Sequence, residues 1–291
     1  MLIFEIIKSI LLGIVEGITE WLPISSTGHL ILFNEIWPLN VSGDFWDMVS
    51  VVIQLGAIMA VIVLFFKKLN PLAPSKQREE KNRTWQLWAK ILIASVPVAV
   101  VGIPVDMLIT GLLYSDESEM HVSYIGATVI AAALIIYGIA FILIERAKAN
   151  KPSTAQTVES ISYVDALKIG AFQMLALIPG TSRSGSTIMG SRLIGISRPV
   201  AAEFSFFMAI PAMLGASLFK IAKFIFKAEM SMGLNEWVIL AVGCIVSFVV
   251  SVIGIKYLMS FVRKHSFSAF GVYRIVLGVI VIAFFTIRLF V

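Results

Sequence analysis

The chain has 291 residues, of which 58% are hydrophobic and 14% are charged, and its mean hydropathy is +0.93. A soluble domain carries about 25% charged residues, so this composition excludes an ordinary soluble protein. The formal net charge of +5 does not indicate nucleic-acid binding, because the basic residues cluster between apolar segments, where they orient membrane proteins. We therefore predict an all-α, polytopic integral membrane protein.

Six apolar segments have about the 20 residues of helix that a bilayer requires. They lie at about 46–66, 86–111, 122–146, 198–226, 236–262 and 267–290. Two further regions, 3–37 and 162–196, are each divided by a polar break that contains proline and glycine. Irregular backbone at membrane depth is tolerated only where protein or a water-filled cavity surrounds it. We therefore predict that each of these two regions is a re-entrant helical hairpin.

The two hairpin regions resemble each other at one constant offset. In order, Gly13, Glu16, Ser25, Thr27 and Gly28 match Gly170, Gln173, Ser182, Ser184 and Gly185, and Asp47 and Glu203 hold equivalent positions further on. Such internal similarity is typical of transporter-like repeats. We predict a single membrane domain, 1–291, built from two repeats at 1–150 and 158–291, each with one re-entrant hairpin and three transmembrane helices. Because three crossings is an odd number, the second repeat must be inverted.

The basic residues between the segments predict the orientation. The connection 67–90 is rich in lysine and arginine and should be cytoplasmic, whereas 112–121 contains three acidic residues and no basic one and should be outside. Lys220, Lys223 and Lys227 fall near the outer face and oppose this scheme. On this topology the first hairpin has its ends outside, so we expect the site to open to the periplasmic side.

The first polar stretch begins with Glu16 and Glu20 on an otherwise apolar helix. Four residues apart, they share one helix face about one turn from each other. A charged side chain at membrane depth costs about 2.5–3.5 kcal/mol on insertion scales, so such residues mark a functional site. Two close carboxylates share a proton or bind a cation, and oxygen ligands suit Mg²⁺ or Ca²⁺. The alternative is that both side chains extend to the membrane interface.

Hydroxyl residues follow at the start of the second helix of this hairpin. Ser25, Ser26 and Thr27 come after Pro23, and by themselves they are ordinary N-cap residues. His29 lies three residues after Ser26 on the same helix face, so its imidazole could accept the Ser26 proton. The pattern favours Ser26 as a nucleophile and His29 as its general base. The alternative for His29 is a purely structural hydrogen bond.

The second polar stretch reads Pro179-Gly180-Thr181-Ser182-Arg183-Ser184-Gly185-Ser186-Thr187. Proline and glycine allow a tight turn, and the backbone N–H groups of 181–185 can point at phosphate oxygens at a helix start. Arg183 adds a permanently charged, bidentate donor. The stretch therefore predicts an anion site. The alternative is that Arg183 forms a structural ion pair with Glu16 or Glu20.

Together the two stretches resemble a known family. An E-x-x-x-E helix leading into P-x-S-S-T-G-H, with a later P-G-x-S-R-S-G-x-T, is similar to the motifs of undecaprenyl-diphosphate phosphatases of the bacitracin-resistance type. The similarity runs nearly from end to end and includes Val52-Ile53-Gln54-Leu55-Gly56, Glu203-Phe204-Ser205-Phe206 and Tyr273-Arg274. The chain departs from the family at Glu159-Ser160, where aspartates are usual, so no role is carried over to that acid.

The resemblance implies a hydrolase that removes the terminal phosphate of undecaprenyl diphosphate, recycles the lipid carrier for cell-wall synthesis and confers bacitracin resistance. It implies a bacterial inner membrane location, a polyprenyl diphosphate substrate and membrane lipids as partners; a homodimer stays open. The functional positions of the family match Glu16, Glu20, Ser26, Thr27, His29, Ser182, Arg183 and Thr187.

From these matches and the motifs we predict three groups of residues. They are Ser26, His29, Glu20 and Arg183 for catalysis; Thr27, Ser182, Arg183, Ser184, Gly185 and Thr187 for diphosphate binding; and Glu16 and Glu20 for a divalent cation. A phosphoserine at Ser26 is the preferred route, and attack by His29 or by an activated water is the alternative.

A transporter or flippase for an anionic lipid or solute is the rival hypothesis, because inverted repeats with broken helices are typical of alternating access. It requires an anion site at Arg183 but no nucleophile at Ser26. A non-catalytic scaffold is the weakest hypothesis, because it gives no reason for two matched polar hairpins.

Overall fold

The computed structural model describes residues 2–113, 122–149, 151–228 and 232–288, and within these ranges the chain is helical, without β-strands. The α-helices are α1 (Leu2–Thr19), α2 (Ser26–Ile36), α3 (Gly43–Val52), α4 (Gln54–Leu64), α5 (Phe66–Leu69), α6 (Arg78–Leu113), α7 (Tyr124–Lys148), α8 (Tyr163–Gln173), α9 (Arg183–Leu193), α10 (Arg198–Ala228), α11 (Leu234–Lys264) and α12 (Ser268–Arg288). Short 3-10 turns lie at Val158–Ser160 and Met174–Leu177.

Six stretches are long and apolar enough to cross a membrane: Gly43–Leu64, Arg78–Gly102, Tyr124–Lys148, Arg198–Phe226, Leu234–Lys264 and Ser268–Arg288. Each overlaps one predicted span, which confirms an all-helical protein with six candidate transmembrane helices. Most of the predicted outer connection, residues 114–121, lies outside the described residues.

Two spans differ in detail from the prediction. The first is divided at Ile53 into α3 and α4, although neither proline nor glycine marks the break. The second begins earlier than predicted, because α6 starts at Arg78 with Glu79 and Glu80 in its first turn. Acidic side chains stabilise a helix N-terminus, so this charged turn extends the helix beyond the apolar segment that hydropathy detects.

Both polar regions consist of a helix, a break and a second helix. The second helix of each begins after a serine N-cap: Ser25 accepts a hydrogen bond from the Gly28 N–H, and Ser182 accepts one from the Gly185 N–H. The φ angles of Ser25 and Ser182 are 74° and 72°, and they are the non-glycine residues with positive φ in the described ranges. This conformation costs roughly 1–3 kcal/mol for a non-glycine residue, and such strain clusters at functional sites.

The first helix of each polar region packs closely against a span from the other half of the chain. Helix α1 lies on α11, where a Cβ at Gly13 would be 2.7 Å from the Gly243 carbonyl oxygen. Helix α8 lies on α6, where a Cβ at Gly170 would be 2.2 Å from the Ala94 carbonyl oxygen. Because only glycine permits these distances, the two contacts fix the polar regions against spans that are distant in sequence.

Ion pairs join the first span to α10 at both ends. Asp47 in α3 accepts hydrogen bonds from Lys220 Nζ at 2.6 Å and Lys223 Nζ at 3.2 Å, near the end of α10. At the start of α10, Glu203 accepts a hydrogen bond from Lys68 Nζ in α5 at 2.8 Å. The span and α10 therefore run antiparallel.

Candidate active site

Glu20 connects the two polar stretches. One carboxylate oxygen accepts hydrogen bonds from Arg183 Nε at 3.3 Å and Nη2 at 3.0 Å, and the other accepts one from Ser26 Oγ at 2.6 Å. Arg183 Nη1 donates to the Ser205 carbonyl oxygen at 2.8 Å. The side chains of Arg183 and Glu20 are only 13% and 7% exposed. A serine hydroxyl, a carboxylate and a guanidinium from distant segments thus form one continuous network.

The hydrogen bonds of His29 do not reach Ser26. Its Nδ1 lies 2.7 Å from the Ser25 carbonyl oxygen, and its Nε2 lies 2.7 Å from the Tyr273 hydroxyl, with the two rings stacked. Because Nδ1 faces back along its own helix and Nε2 faces Tyr273, neither ring nitrogen is hydrogen-bonded to the Ser26 hydroxyl. In this arrangement the proton acceptor in contact with Ser26 is Glu20.

A cavity of about 100 Å³ lies between the two polar stretches. It is lined by predicted site residues from both: Glu20, Ser26, Thr27, Ser182 and Arg183. A guanidinium beside three hydroxyl groups suits an anion with several oxygens, such as a phosphate group. The carboxylate of Glu20 supplies a proton acceptor in the same cavity.

Two predicted diphosphate-binding hydroxyls lie behind the cavity wall. Ser184 Oγ donates to the carbonyl oxygens of Glu20 at 3.2 Å and Leu22 at 3.3 Å. Thr187 Oγ1 is fully buried and donates to Ser205 Oγ at 2.7 Å. Ser184 thus joins the two polar stretches and Thr187 links α9 to α10, whereas the Gly185 N–H is used by the Ser182 cap.

Gln54 is a cavity residue that the sequence interpretation quoted but did not assign to the site. It begins α4 at the break in the first span, and its side chain lines the cavity without a hydrogen bond to any described residue. The sequence signal was an amide inside an apolar span, because a polar side chain there is costly unless it binds a partner or a ligand.

Arg274 is also a residue that the sequence interpretation quoted but did not assign to the site. It is fully buried in α12 and donates to the carbonyl oxygens of Pro23 at 3.2 Å and Gly180 at 2.8 Å, in the breaks of the two polar stretches. Its guanidinium also lies 5.9 Å from the centre of the Tyr137 ring. An arginine in the middle of an apolar helix was the sequence signal. Arg274 positions both breaks around the cavity.

Glu16 is fully buried, and neither of its carboxylate oxygens has a hydrogen-bond partner in the described structure. A buried carboxylate without a partner is costly, so a cation or a proton is expected there. No group of three or more histidine, cysteine, aspartate or glutamate side chains converges among the described residues. Two carboxylates still fit Mg²⁺, because this ion is usually held by one or two carboxylates, substrate phosphates and water.

Comparisons with known proteins agree over nearly the whole chain. The model of the family "Bacitracin resistance protein BacA" matches residues 9–280. Undecaprenyl-diphosphatase of Enterococcus faecalis is 51% identical over 284 residues, covering 98% of this chain and 99% of that protein. Undecaprenyl-diphosphatase of Lactiplantibacillus plantarum is 52% identical over 283 residues, covering 97% and 98%. The motif resemblance is thereby confirmed, and the chain belongs to the bacitracin resistance protein BacA family.

Proposed function

We propose that this protein hydrolyses undecaprenyl diphosphate to undecaprenyl phosphate and phosphate in the bacterial inner membrane, and so recycles the lipid carrier for cell-wall synthesis. The relatives named undecaprenyl-diphosphatase, about half of whose residues are identical, support this function. The structural observation that carries it is the Ser26–Glu20–Arg183 network beside a cavity at the meeting point of the two polar stretches. As a member of this family, the protein is expected to confer bacitracin resistance.

Phosphoryl transfer needs mainly positioning and charge neutralisation. The terminal phosphate enters the cavity and takes the place of the Glu20 carboxylate on Arg183, which frees one Glu20 oxygen while the other stays hydrogen-bonded to Ser26. Ser26 Oγ attacks the terminal phosphorus while Glu20 accepts its proton, and the bond from phosphorus to the bridging oxygen breaks. Undecaprenyl phosphate leaves, and water then hydrolyses the phosphoserine to release phosphate. His29 remains the alternative base or nucleophile.

A divalent cation is part of this proposal. Glu16 and Glu20 are the residues that would hold Mg²⁺ or Ca²⁺, and the partnerless, buried carboxylate of Glu16 supports the assignment. The cation would neutralise charge on the diphosphate. Residues Thr27 and Ser182, which line the cavity, bind the phosphate oxygens through their hydroxyls.

The experiment that tests the function is phosphate release from a long-chain polyprenyl diphosphate by purified protein in detergent, with and without a chelator. We expect release that the chelator abolishes and Mg²⁺ or Ca²⁺ restores. Phosphate release that persists in the presence of the chelator contradicts the divalent cation but not the phosphatase activity. No release with any divalent cation contradicts the phosphatase and favours a transporter for an anionic lipid.

We also infer that the chain consists of two inverted repeats whose hairpins are re-entrant. Three pairs of features support this: the strained caps Ser25 and Ser182, the packing of α1 on α11 and of α8 on α6, and the ion pairs of Asp47 and Glu203 with lysines of the opposite copy. Ser25 and Ser182 are 157 residues apart and Asp47 and Glu203 are 156 apart, so equivalent features recur at nearly the same place in both copies, as a twofold axis in the membrane plane requires.

The two proposed copies differ at the positions that carry chemistry. The offset that matches Ser25 with Ser182 also matches Ser26 with Arg183, and it matches Glu20 with Leu177. The first copy therefore supplies the nucleophile and its base, and the second supplies Arg183, the cationic side chain that binds the phosphate. This division of roles favours an enzyme over a transporter that uses both copies equivalently.

The inverted arrangement predicts opposite accessibility for the starts of α6 and α11. With Cys244 replaced by alanine, we expect a membrane-impermeant thiol reagent to label Asn235→Cys in intact cells. Ser75→Cys should be labelled only after permeabilisation, because its connection is rich in basic residues. Both positions are exposed. Labelling of the two variants from the same side contradicts the inversion.

The cavity position of Gln54 predicts a kinetic effect. An amide hydrogen bond to a charged group contributes about 1.5–3 kcal/mol, so Gln54→Leu should lower kcat/KM by about 10- to 100-fold. Gln86→Leu makes the same chemical change at an exposed position of α6 and serves as the control. The kcat/KM of both variants is measured by steady-state phosphate release. Equal values for the two variants would contradict a contact between Gln54 and the substrate.

A further inference from the structure

A second cavity, of about 360 Å³, lies apart from the candidate active site, at the connection between the first two candidate spans. Its wall carries four basic side chains, Lys67, Lys68, Lys76 and Arg83, and two acidic ones, Glu80 and Glu159. The lining side chains alone carry a net charge of +2, and Glu203 and Glu79 pair with Lys68 and Arg83 from outside the wall. The cavity shares no lining residue with the candidate active site.

The cavity adjoins the ends of two candidate spans, where lipid head groups would lie. Lys67 and Lys68 follow the candidate span Gly43–Leu64, Lys76 lies in the connection, and Arg83 lies near the start of the next span, Arg78–Gly102. Beside them in sequence, Phe66, Leu72 and Trp85 expose 55%, 74% and 55% of their surfaces. Large apolar side chains and tryptophan at this depth are typical of the membrane interface, so a ligand here has acyl chains as neighbours.

The basic side chains have different roles in this cavity. Lys76 Nζ donates to the carbonyl oxygens of Lys68 and Asn70 and to the Thr84 hydroxyl, which uses its three donors within the protein. Lys68 Nζ is paired with two glutamates, at 2.8 and 3.5 Å. Lys76 therefore has no donor left for a ligand, and the charge of Lys68 is engaged by its two glutamates.

Lys67 and Arg83 are the residues that can bind a ligand. Lys67 is exposed and forms no hydrogen bond or ion pair with a described residue. Among the described residues, Arg83 pairs only with Glu79, one turn away on the same helix, and both side chains are more than half exposed. Such an exposed pair contributes less than about 1 kcal/mol, so a phosphate oxygen can replace the carboxylate. Lysine and arginine together suit a phosphate anion.

We propose that this cavity binds the phosphate group of an anionic phospholipid, with Lys67 and Arg83 as its ligands. A free phosphate ion has the same chemistry, but the exposed apolar residues around the cavity favour the lipid. The site is independent of the proposed phosphatase reaction, because none of its residues belongs to the active site.

Native mass spectrometry of the full-length protein in detergent tests the proposal, with phosphatidylglycerol or phosphatidylcholine as the probe. We expect the protein to retain phosphatidylglycerol in preference to phosphatidylcholine. Lys67→Gln with Arg83→Gln should weaken phosphatidylglycerol binding about 30-fold, since each basic side chain near anionic lipid contributes about 1 kcal/mol. The control is Arg263→Gln with Lys264→Gln, which removes the same charge from exposed residues outside the cavity, and it should retain the lipid.

Three results would overturn the proposal. They are equal retention of the two lipids, an equal loss of binding in both double variants, and displacement of the lipid by inorganic phosphate, which would assign the cavity to the free ion. Thermal unfolding of the Lys67/Arg83 variant distinguishes loss of the ligand contact from loss of the fold. Its phosphatase activity in lipid-free detergent should equal that of the unmodified protein.

Discussion

Replacing Arg183 by alanine is expected to lower phosphate release from polyprenyl diphosphate by a factor of about 10³ or more. The guanidinium is the cation from the second polar stretch that lines the cavity, and an arginine that neutralises a transferring phosphoryl group contributes roughly 10³ to 10⁵ in rate. The same substitution leaves the Glu20 carboxylate without its cationic partner. We therefore also expect a lower unfolding temperature, because a buried charge that loses its partner is destabilising.

Steady-state phosphate release and thermal unfolding should be measured together on three variants. Arg183→Lys keeps the charge but loses the bidentate geometry, so its activity should lie between those of the unmodified protein and Arg183→Ala. Arg263→Ala removes an exposed arginine of α11 and should change neither quantity. A stable Arg183→Ala variant with full activity would refute the assignment of Arg183 to the phosphate.

Replacing Ser26 by alanine is expected to abolish turnover while substrate binding persists. The hydroxyl donates to Glu20 at 2.6 Å and lines the cavity, so its loss removes the nucleophile and leaves Arg183 in place. Removal of a nucleophile lowers kcat by a factor of about 10⁶ in a well-studied serine hydrolase, and a loss of at least about 10³ is expected here. Ser95→Ala removes a buried hydroxyl outside the cavity and is the control.

A second experiment identifies which group is the nucleophile. Rapid acid quenching with substrate labelled in the terminal phosphate should trap an acid-stable phosphoserine at Ser26. An acid-labile adduct at His29 would instead identify histidine as the nucleophile, and an unlabelled protein with full turnover would favour water. A transporter predicts that Ser26→Ala still moves its anion, which a vesicle transport assay can measure.

The sequence was sufficient to predict the spans and the two polar breaks, because both depend on local properties. Hydropathy locates apolar segments, and proline, glycine and serine at Pro23–Ser26 and Pro179–Ser182 terminate and restart helices. The break at Ile53 was missed, since it has no such residues. The helix that begins after this break has Gln54 as its first residue, and Gln54 lines the cavity.

The contacts of individual side chains could not be predicted, because they depend on residues far away in sequence. Spacing along α2 suggested that His29 faces Ser26, but Tyr273 in the last helix holds its Nε2 instead. Similarly, Arg274 contacts both breaks across 251 and 94 residues. The sequence shows only that an arginine in the middle of an apolar helix is unusual. The packing of α12 shows which carbonyl oxygens this arginine binds.

The dependence of both breaks on Arg274 has a consequence for how the protein is made. Helix α1 is synthesised long before its packing partner α11 and before the arginine that holds Pro23. Until then the breaks at Pro23 and Gly180 lack the hydrogen bonds that Arg274 donates to them. We therefore expect the arrangement of both breaks to be completed only after α12 has been inserted.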